Sequence, residues 1–247
     1  MNTLIRSELI KLRTLRSFWW TVAATLAFVP VSIAIAMHGG SGTPPIETTE
    51  GFRNVMAAAS SGGVLMLIIG ILVMAGEFRH NTITSTLLIT PDRKRMVGAK
   101  LAASGIVGAA LGLVASVLTL AIALPWLAQR NIDLGAHSTD ILVVLAGGIA
   151  ATALGALLGV GLGALMTNQT LAVTVTLVWV LVVESLLGSF ASGIGRFFPG
   201  GAASAMSSVA PPSGDALPFW IAGLLFAGYA LVVAEAGARL VVRRDIT

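Results

Sequence analysis

The chain of 247 residues has no cysteine, a single tyrosine and only 11% charged residues. Without cysteine, disulfides, thiolate nucleophiles and Cys-ligated metals are excluded. His38, His80 and His137 are scattered over separate loops with no metal-ligand spacing, so no metal site is expected. No G-x-x-x-x-G-K-[ST] string occurs, and no lysine is followed by Ser or Thr, which leaves no phosphate cradle for ATP. Zinc-protease signatures and nucleophile–base spacings are also missing. The glycine string His38-Gly39-Gly40-Ser41-Gly42 has no G-x-S-x-G elbow to serve, and it reads as a turn. No catalytic residue is assigned, and the chain is not expected to be an enzyme.

What the chain does have is apolar length. Apolar residues make up 56% of it and the mean hydropathy is +0.92, far outside the range of soluble domains. A hydrocarbon core about 30 Å thick takes about 20 apolar residues of helix to cross. Six segments meet or approach this, at about 18–37, 54–76, 101–125, 140–166, 170–190 and 218–240. In lipid the backbone must satisfy its own hydrogen bonds, so these are helices. The period-2 alternation of a membrane β-barrel is absent. The predicted fold is therefore an all-α integral membrane protein, a single transmembrane domain over 1–247. The first apolar run is too long for a cleaved signal peptide and is expected to be retained.

Charge sets the orientation. Arg6, Lys11, Arg13 and Arg16 precede the first span. Arg79, Arg93, Lys94, Arg95 and Lys100 lie between the second and third, and Arg239, Arg243 and Arg244 close the chain. Only Arg53, Arg130 and Arg196 fall on the opposite side. Both termini and the 77–100 loop are thus expected in the cytoplasm of a multi-pass plasma (inner) membrane protein, and the basic balance reflects topology rather than nucleic-acid binding.

Residues 2–16 place Ile5, Leu9 and Leu12 on one helical face and basic residues on the others, which predicts an interfacial amphipathic helix ahead of Phe18-Trp19-Trp20. In the fourth span Ala151, Gly155, Gly159 and Gly163 recur every four residues and form a flat ridge for close helix packing, against a neighbouring span or a second protomer. The outer segment 191–217, with Pro199, Pro211 and Pro212, suits a re-entrant-type loop of short half-buried helices. Glu235 and Arg239 are spaced to pair on the last span.

The most patterned segment is 77–100. Phe78 through Ile89 reads as a short helix with Asn81 and Thr82 as cap candidates and a stripe of Ile83, Leu87 and Leu88. Thr90 as N-cap, Pro91 at the first helical position and Asp92 in the first turn then start a new helix leading into the third span. The stripe is too narrow for a core but fits a groove in a partner protein.

These residues carry a resemblance. Gly76-Glu77-Phe78-Arg79, Asn81-Thr82-Ile83, Leu87-Leu88-Ile89-Thr90-Pro91, Arg93, Arg95 and Ala99-Lys100 together resemble the membrane subunits of type-2 ABC (ATP-binding-cassette) exporters. Asn81 stands where such proteins typically carry Gly; both residues tolerate left-handed backbone. The six-span layout and the N-terminal helix are also similar. The resemblance implies a homodimeric or heterodimeric permease whose 77–100 loop, through Arg79, Ile83, Leu87 and Leu88, is a coupling helix docking a separate ATPase. ATP and Mg would then sit on that partner and no cofactor on this chain.

Two carboxylates stand out. Glu77 closes the second span, where an ion pair with a basic residue such as Arg79, Arg16 or Arg244 would tie the coupling loop to the bundle. Glu184 is the one acid well inside a span, roughly 21 Å along the helix from Thr170 at 1.5 Å per residue. It is a possible intramembrane polar site for gating or ion coupling, or else a hydrogen-bonding partner of a neighbouring helix. The preferred reading is the permease of an ATP-driven exporter of a hydrophobic or amphipathic cargo such as a lipid, drug or peptide. The alternatives are a non-exporting immunity or sensing subunit paired with an ABC ATPase, and an ion-coupled secondary transporter.

Overall fold

The computed structural model describes residues 1–38, 44–80, 92–130, 132, 138–190, 193–207 and 217–243, and every regular element among them is helical. Six helices are long and apolar enough to cross a membrane: Arg16–His38, Thr49–Arg79, Arg93–Gln129, Ser138–Leu165, Gln169–Gly188 and Phe219–Val241. The all-α, six-span expectation holds, and the differences lie at the edges of the spans.

Helix α1 (Asn2–Thr14) ends where Leu15 turns extended, and α2 (Arg16–His38) begins at once as the first span. The indole Nε1 of Trp19 donates to the Arg13 carbonyl at 2.8 Å, satisfying one of the orphan acceptors at the end of α1 and fixing the corner. Leu12 is buried, with Ile5 and Leu9 packed beside it, so the apolar stripe of α1 rests on protein. By contrast α2 presents Trp20, Phe28, Val31 and Ile35 outward, as a helix facing hydrocarbon does.

The second span is longer than its apolar run indicated and is broken. It comprises α3 (Thr49–Met56), a 3₁₀ turn (Ala57–Ser60) and α4 (Gly63–Arg79). The apolar run at 54–76 leaves residues 49–53 outside the span. Instead Thr48 caps the helix, its hydroxyl accepting from the Gly51 amide at 3.1 Å. Arg53 is neutralised by Asp140, its Nε donating at 2.9 Å. At the other end, Phe78 and Arg79 belong to the last turn of α4.

The third span, α5 (Arg93–Gln129), has 37 residues. At 1.5 Å per residue it is about 55 Å long, well beyond an apolar core of about 30 Å. Its N-cap is Asp92, where Thr90 was expected. Asp92 Oδ1 accepts from the amides of Lys94 and Arg95 at 3.0 and 3.2 Å, and an anion there also complements the helix dipole. Ile83, Leu87, Leu88, Thr90 and Pro91 lie outside the described residues.

Helix α6 (Ser138–Leu165) is the centre of the bundle, packed by α4, α5 and α10 (Phe219–Arg243). Side chains as small as hydrogen permit this. A Cβ at Gly155 would lie 2.9 Å from the Gly63 carbonyl oxygen and one at Gly163 2.8 Å from that of Ile71; at Gly159 it would collide with the Leu67 carbonyl. The ridge therefore faces a neighbouring span, α4, and not a second copy. Gly161 makes a similar approach to α10, where a Cβ would fall 2.8 Å from the Ala234 amide nitrogen.

The fifth span runs from α7 (Gln169–Val178) through a five-residue π-helical turn (Trp179–Val183) into α8 (Glu184–Phe190). A 3₁₀ turn (Gly195–Phe197) and α9 (Pro199–Met206) follow; Ala202, Ala205 and Met206 are buried in the core that α10 completes. Glu235 and Arg239 pair at 2.7 Å on the exposed face of α10.

Candidate functional site

At the N-terminal corner the fold brings four charges into a closed ring. Lys100 Nζ on α5 donates to Glu77 Oε1 on α4 at 2.6 Å and to Glu8 Oε2 on α1 at 2.7 Å. Lys11 Nζ closes the ring, donating to Glu8 Oε1 at 2.7 Å and to Glu77 Oε1 at 3.2 Å. Cations and anions alternate and their charges sum to zero. Lys100 is 1% exposed, Glu8 5% and Glu77 8%, while the Lys11 side chain keeps about half its surface in solvent (48%).

Such a cluster is stable only while complete, because isolated charges are costly to desolvate and neighbours of opposite sign offset that cost. Burial by itself would raise the Glu8 carboxyl above its ordinary value. The Lys100 ammonium, by charge and hydrogen bond, and Lys11 after it reverse this and hold the carboxyl low. For Lys11 burial favours the neutral amine, but hydrogen bonding to Glu8 and the charge of Glu77 raise its pKa. Glu77 Oε2 is buried and takes no hydrogen bond among the described residues.

The ring gives Glu77 two basic partners, Lys100 and Lys11, in place of the examples Arg79, Arg16 and Arg244. Lys100, counted as a topological charge, is a sealed structural cation. Glu8 was missed altogether. One signal could have found it: it lies one position from Leu9 and four from Leu12, so it borders the apolar stripe of α1, where a carboxylate needs a partner.

Both roots of the 77–100 segment are anchored. Glu77 and Lys100 bind α1, and Arg93 Nη1 donates to the Val241 carbonyl near the end of α10 at 2.8 Å. Arg79 is exposed at the end of α4. The docking stripe of Ile83, Leu87 and Leu88 falls outside the described residues.

Glu184 sits elsewhere, in the fifth span. Its Oε1 accepts from Trp179 Nε1 at 2.9 Å and its Oε2 from the Gly200 amide at 2.9 Å. The π turn explains the first contact, since its wider winding turns residues five apart toward one side. The second makes Glu184 the cap of α9, whose N-cap residue, Phe198, supplies no side-chain bond. Gly200 leaves room for it, since a Cβ there would oblige the Glu184 carboxylate to shift. Sequence reasoning found Glu184 but not Trp179 or Gly200, which only the tertiary fold brings to it.

A six-span helical bundle defines a polytopic membrane protein, here with a ring of four charges at the roots of the 77–100 segment. The chain belongs to the ABC-2 family of transporter proteins, whose family model matches residues 4–183. It is accordingly a multi-pass membrane permease, and membership implies an ABC ATPase partner. A search of curated proteins returns no match. The matched region contains the whole ring and ends at Val183, so Glu184, α9 and α10 lie beyond it.

Proposed function

We propose that this protein is the permease subunit of an ATP-driven exporter, that it works as a dimer with the translocation path between the two copies, and that a separate ATPase docks on its 77–100 loop. Both termini and this loop are then cytoplasmic, consistent with the basic residues on that side. The observation carrying the reading is the closed ring of Glu8, Lys11, Glu77 and Lys100 at the roots of the loop. It joins α1, α4 and α5 into one block. A displacement of the docked loop would tilt this block as a unit, and interfaces of packed helices respond to such pushes by rigid-body shifts. Arg93 on Val241 extends the block to α10.

ATP and Mg are assigned to the partner, because this chain has no phosphate cradle. The cargo is assigned to hydrophobic or amphipathic molecules, in keeping with an apolar bundle. The ion-coupled alternative is disfavoured, since it would want several intramembrane charges and Glu184 is the one acid well inside a span.

Affinity purification from native membranes tests the reading. A P-loop ATPase is expected to co-purify, and Leu87→Asp together with Leu88→Asp is expected to release it while the permease stays folded. No co-purifying ATPase, with transport intact in the double variant, would overturn the proposal.

A further inference from the structure

Beside Glu184 lies a cavity of about 530 Å³, walled by α4, α6, α8, α9 and α10. That volume is in the range of sites for drug-sized molecules. Leu67, Ala151 and Phe226 supply apolar wall, and Val64, exposed on α4, stands at a rim reaching the outer surface of the bundle. Two lining glycines, Gly63 and Gly188, have nothing within 4 Å of where a Cβ would stand, so the space before them is open.

The polar side chains of this cavity are one carboxylate and four serine hydroxyls. Among the described residues Glu184 is the only charged side chain in its wall. The hydroxyl protons of Ser60 and Ser207 are directed into their own helices, to the carbonyls of Ala57 at 2.7 Å and Ala203 at 3.1 Å, which leaves oxygen lone pairs to the cavity. Arg196, the basic residue of the outer segment, is not part of the wall and lies over the Phe197 ring at 5.0 Å. A carboxylate holding two hydrogen bonds still has acceptor capacity. An apolar pocket whose one charged group among the described residues is a carboxylate is complementary to a ligand with an apolar body and a cationic donor head, and it opposes phosphate and carboxylate head groups, while the hydroxyls of Ser60, Ser185, Ser204 and Ser207 supply neutral contacts.

We propose that this cavity is a binding site for an amphiphilic organic amine, with its ammonium on Glu184 and its hydrocarbon between α4 and α10. The inference adds a ligand site to the reading above and rests on that reading only in taking the cavity to be open to the membrane. The site lies within one protomer, apart from the path proposed between two.

The test uses the full-length permease in phosphatidylcholine nanodiscs, without an ATPase, so that loss of amine binding and loss of ATPase docking are separate results. Trp19, Trp20, Trp126 and Trp220 are changed to Phe, leaving Trp179, whose indole bonds Glu184, as the reporter. Its emission is titrated with 12-bromododecylamine and with 12-bromododecanol. Saturable quenching is expected at a roughly tenfold lower concentration of the amine, the ratio given by about 1.4 kcal/mol. Glu184→Gln keeps an acceptor for the Gly200 amide while losing the charge, and it should bring the two titrations together. Gly188→Leu should fill the cavity and abolish saturable quenching by both. Equal titration of amine and alcohol in the parent protein, or an amine preference that survives Glu184→Gln, would overturn the proposal. Saturable amine quenching that persists in Gly188→Leu would place the site elsewhere and overturn it equally.

Discussion

Lys100 Nζ lies 2.6 Å from Glu77 Oε1, with the lysine side chain 1% exposed and the carboxylate side chain 9%. This pair links the last turn of α4 to the first turns of α5, the two roots of the proposed docking segment. Without Glu8 and Lys11 each carboxylate and ammonium would be short of a partner. The pair therefore depends on α1, and so does whatever the loop transmits.

Lys100→Met is expected to leave Glu8 and Glu77 facing each other with only Lys11 between them. Removing one partner of a buried ion pair costs about 3–5 kcal/mol. Thermal unfolding in detergent should show a large fall in Tm for this variant. Adding Glu77→Met should cost less than the two single changes summed, because the second change removes the charge stranded by the first. Strict additivity would show that the pair is not coupled.

The carboxyl of Glu8 is held below its ordinary value of 4.5. A depressed carboxyl contributes stability at pH values above its unfolded pKa, and this is lost as pH falls through the folded one. Protection of the α1 amides against hydrogen exchange should thus be constant near neutrality and decline as pH drops below about 4.5. Glu8→Gln should lower that protection at neutral pH and flatten its acid dependence. An α1 equally protected at pH 7 and pH 3 would argue against the ring as its anchor.

The α4–α6 contact is a backbone-to-backbone approach. Gly159→Ala puts a methyl group into the Leu67 carbonyl and should cost about 1–3 kcal/mol or more, as overpacking does. Gly188→Ala has open space before it and should change stability by less than about 0.5 kcal/mol apart from a small helix-propensity gain. Similar losses at both positions would contradict the packing described.

Asp92→Ala should remove the cap of α5, at a cost of about 1 kcal/mol, and fray the first turn that carries Arg93. Asp92→Asn retains an acceptor and should recover most of the loss.

On the opposite side Arg53 pairs with Asp140 at a half-exposed site, with 39% of the arginine side chain in solvent. Arg53→Gln is expected to cost at most about 1 kcal/mol, and less at high salt, in contrast to Lys100→Met. A salt-insensitive loss of several kcal/mol would show that this pair is sealed.

Much of the architecture was legible in sequence because lipid makes apolar length decisive. A run such as residues 141–165 of α6, with Gly155, Gly159 and Gly163 at every fourth position, has few ways to satisfy its backbone other than as a closely packed helix. Boundaries were less legible because polarity was taken as exposure. Arg53 and Lys100 both look like water-facing charges, yet one extends α3 by pairing with Asp140 and the other is sealed by two glutamates 23 and 92 positions away.

Composition and periodicity by themselves determined the helical membrane class, the six spans and the small-residue ridge, since these follow from local chemistry against one solvent. Which charges meet depended on the tertiary structure. Apart from Glu8 and Lys11, three apart on α1, the ring of Glu8, Lys11, Glu77 and Lys100 and the capping of α9 by Glu184 join residues whose distances in sequence carry no information about contact. Only helix packing brings their oxygens and nitrogens within hydrogen-bonding reach, and only inside that packing does a charge need its partner.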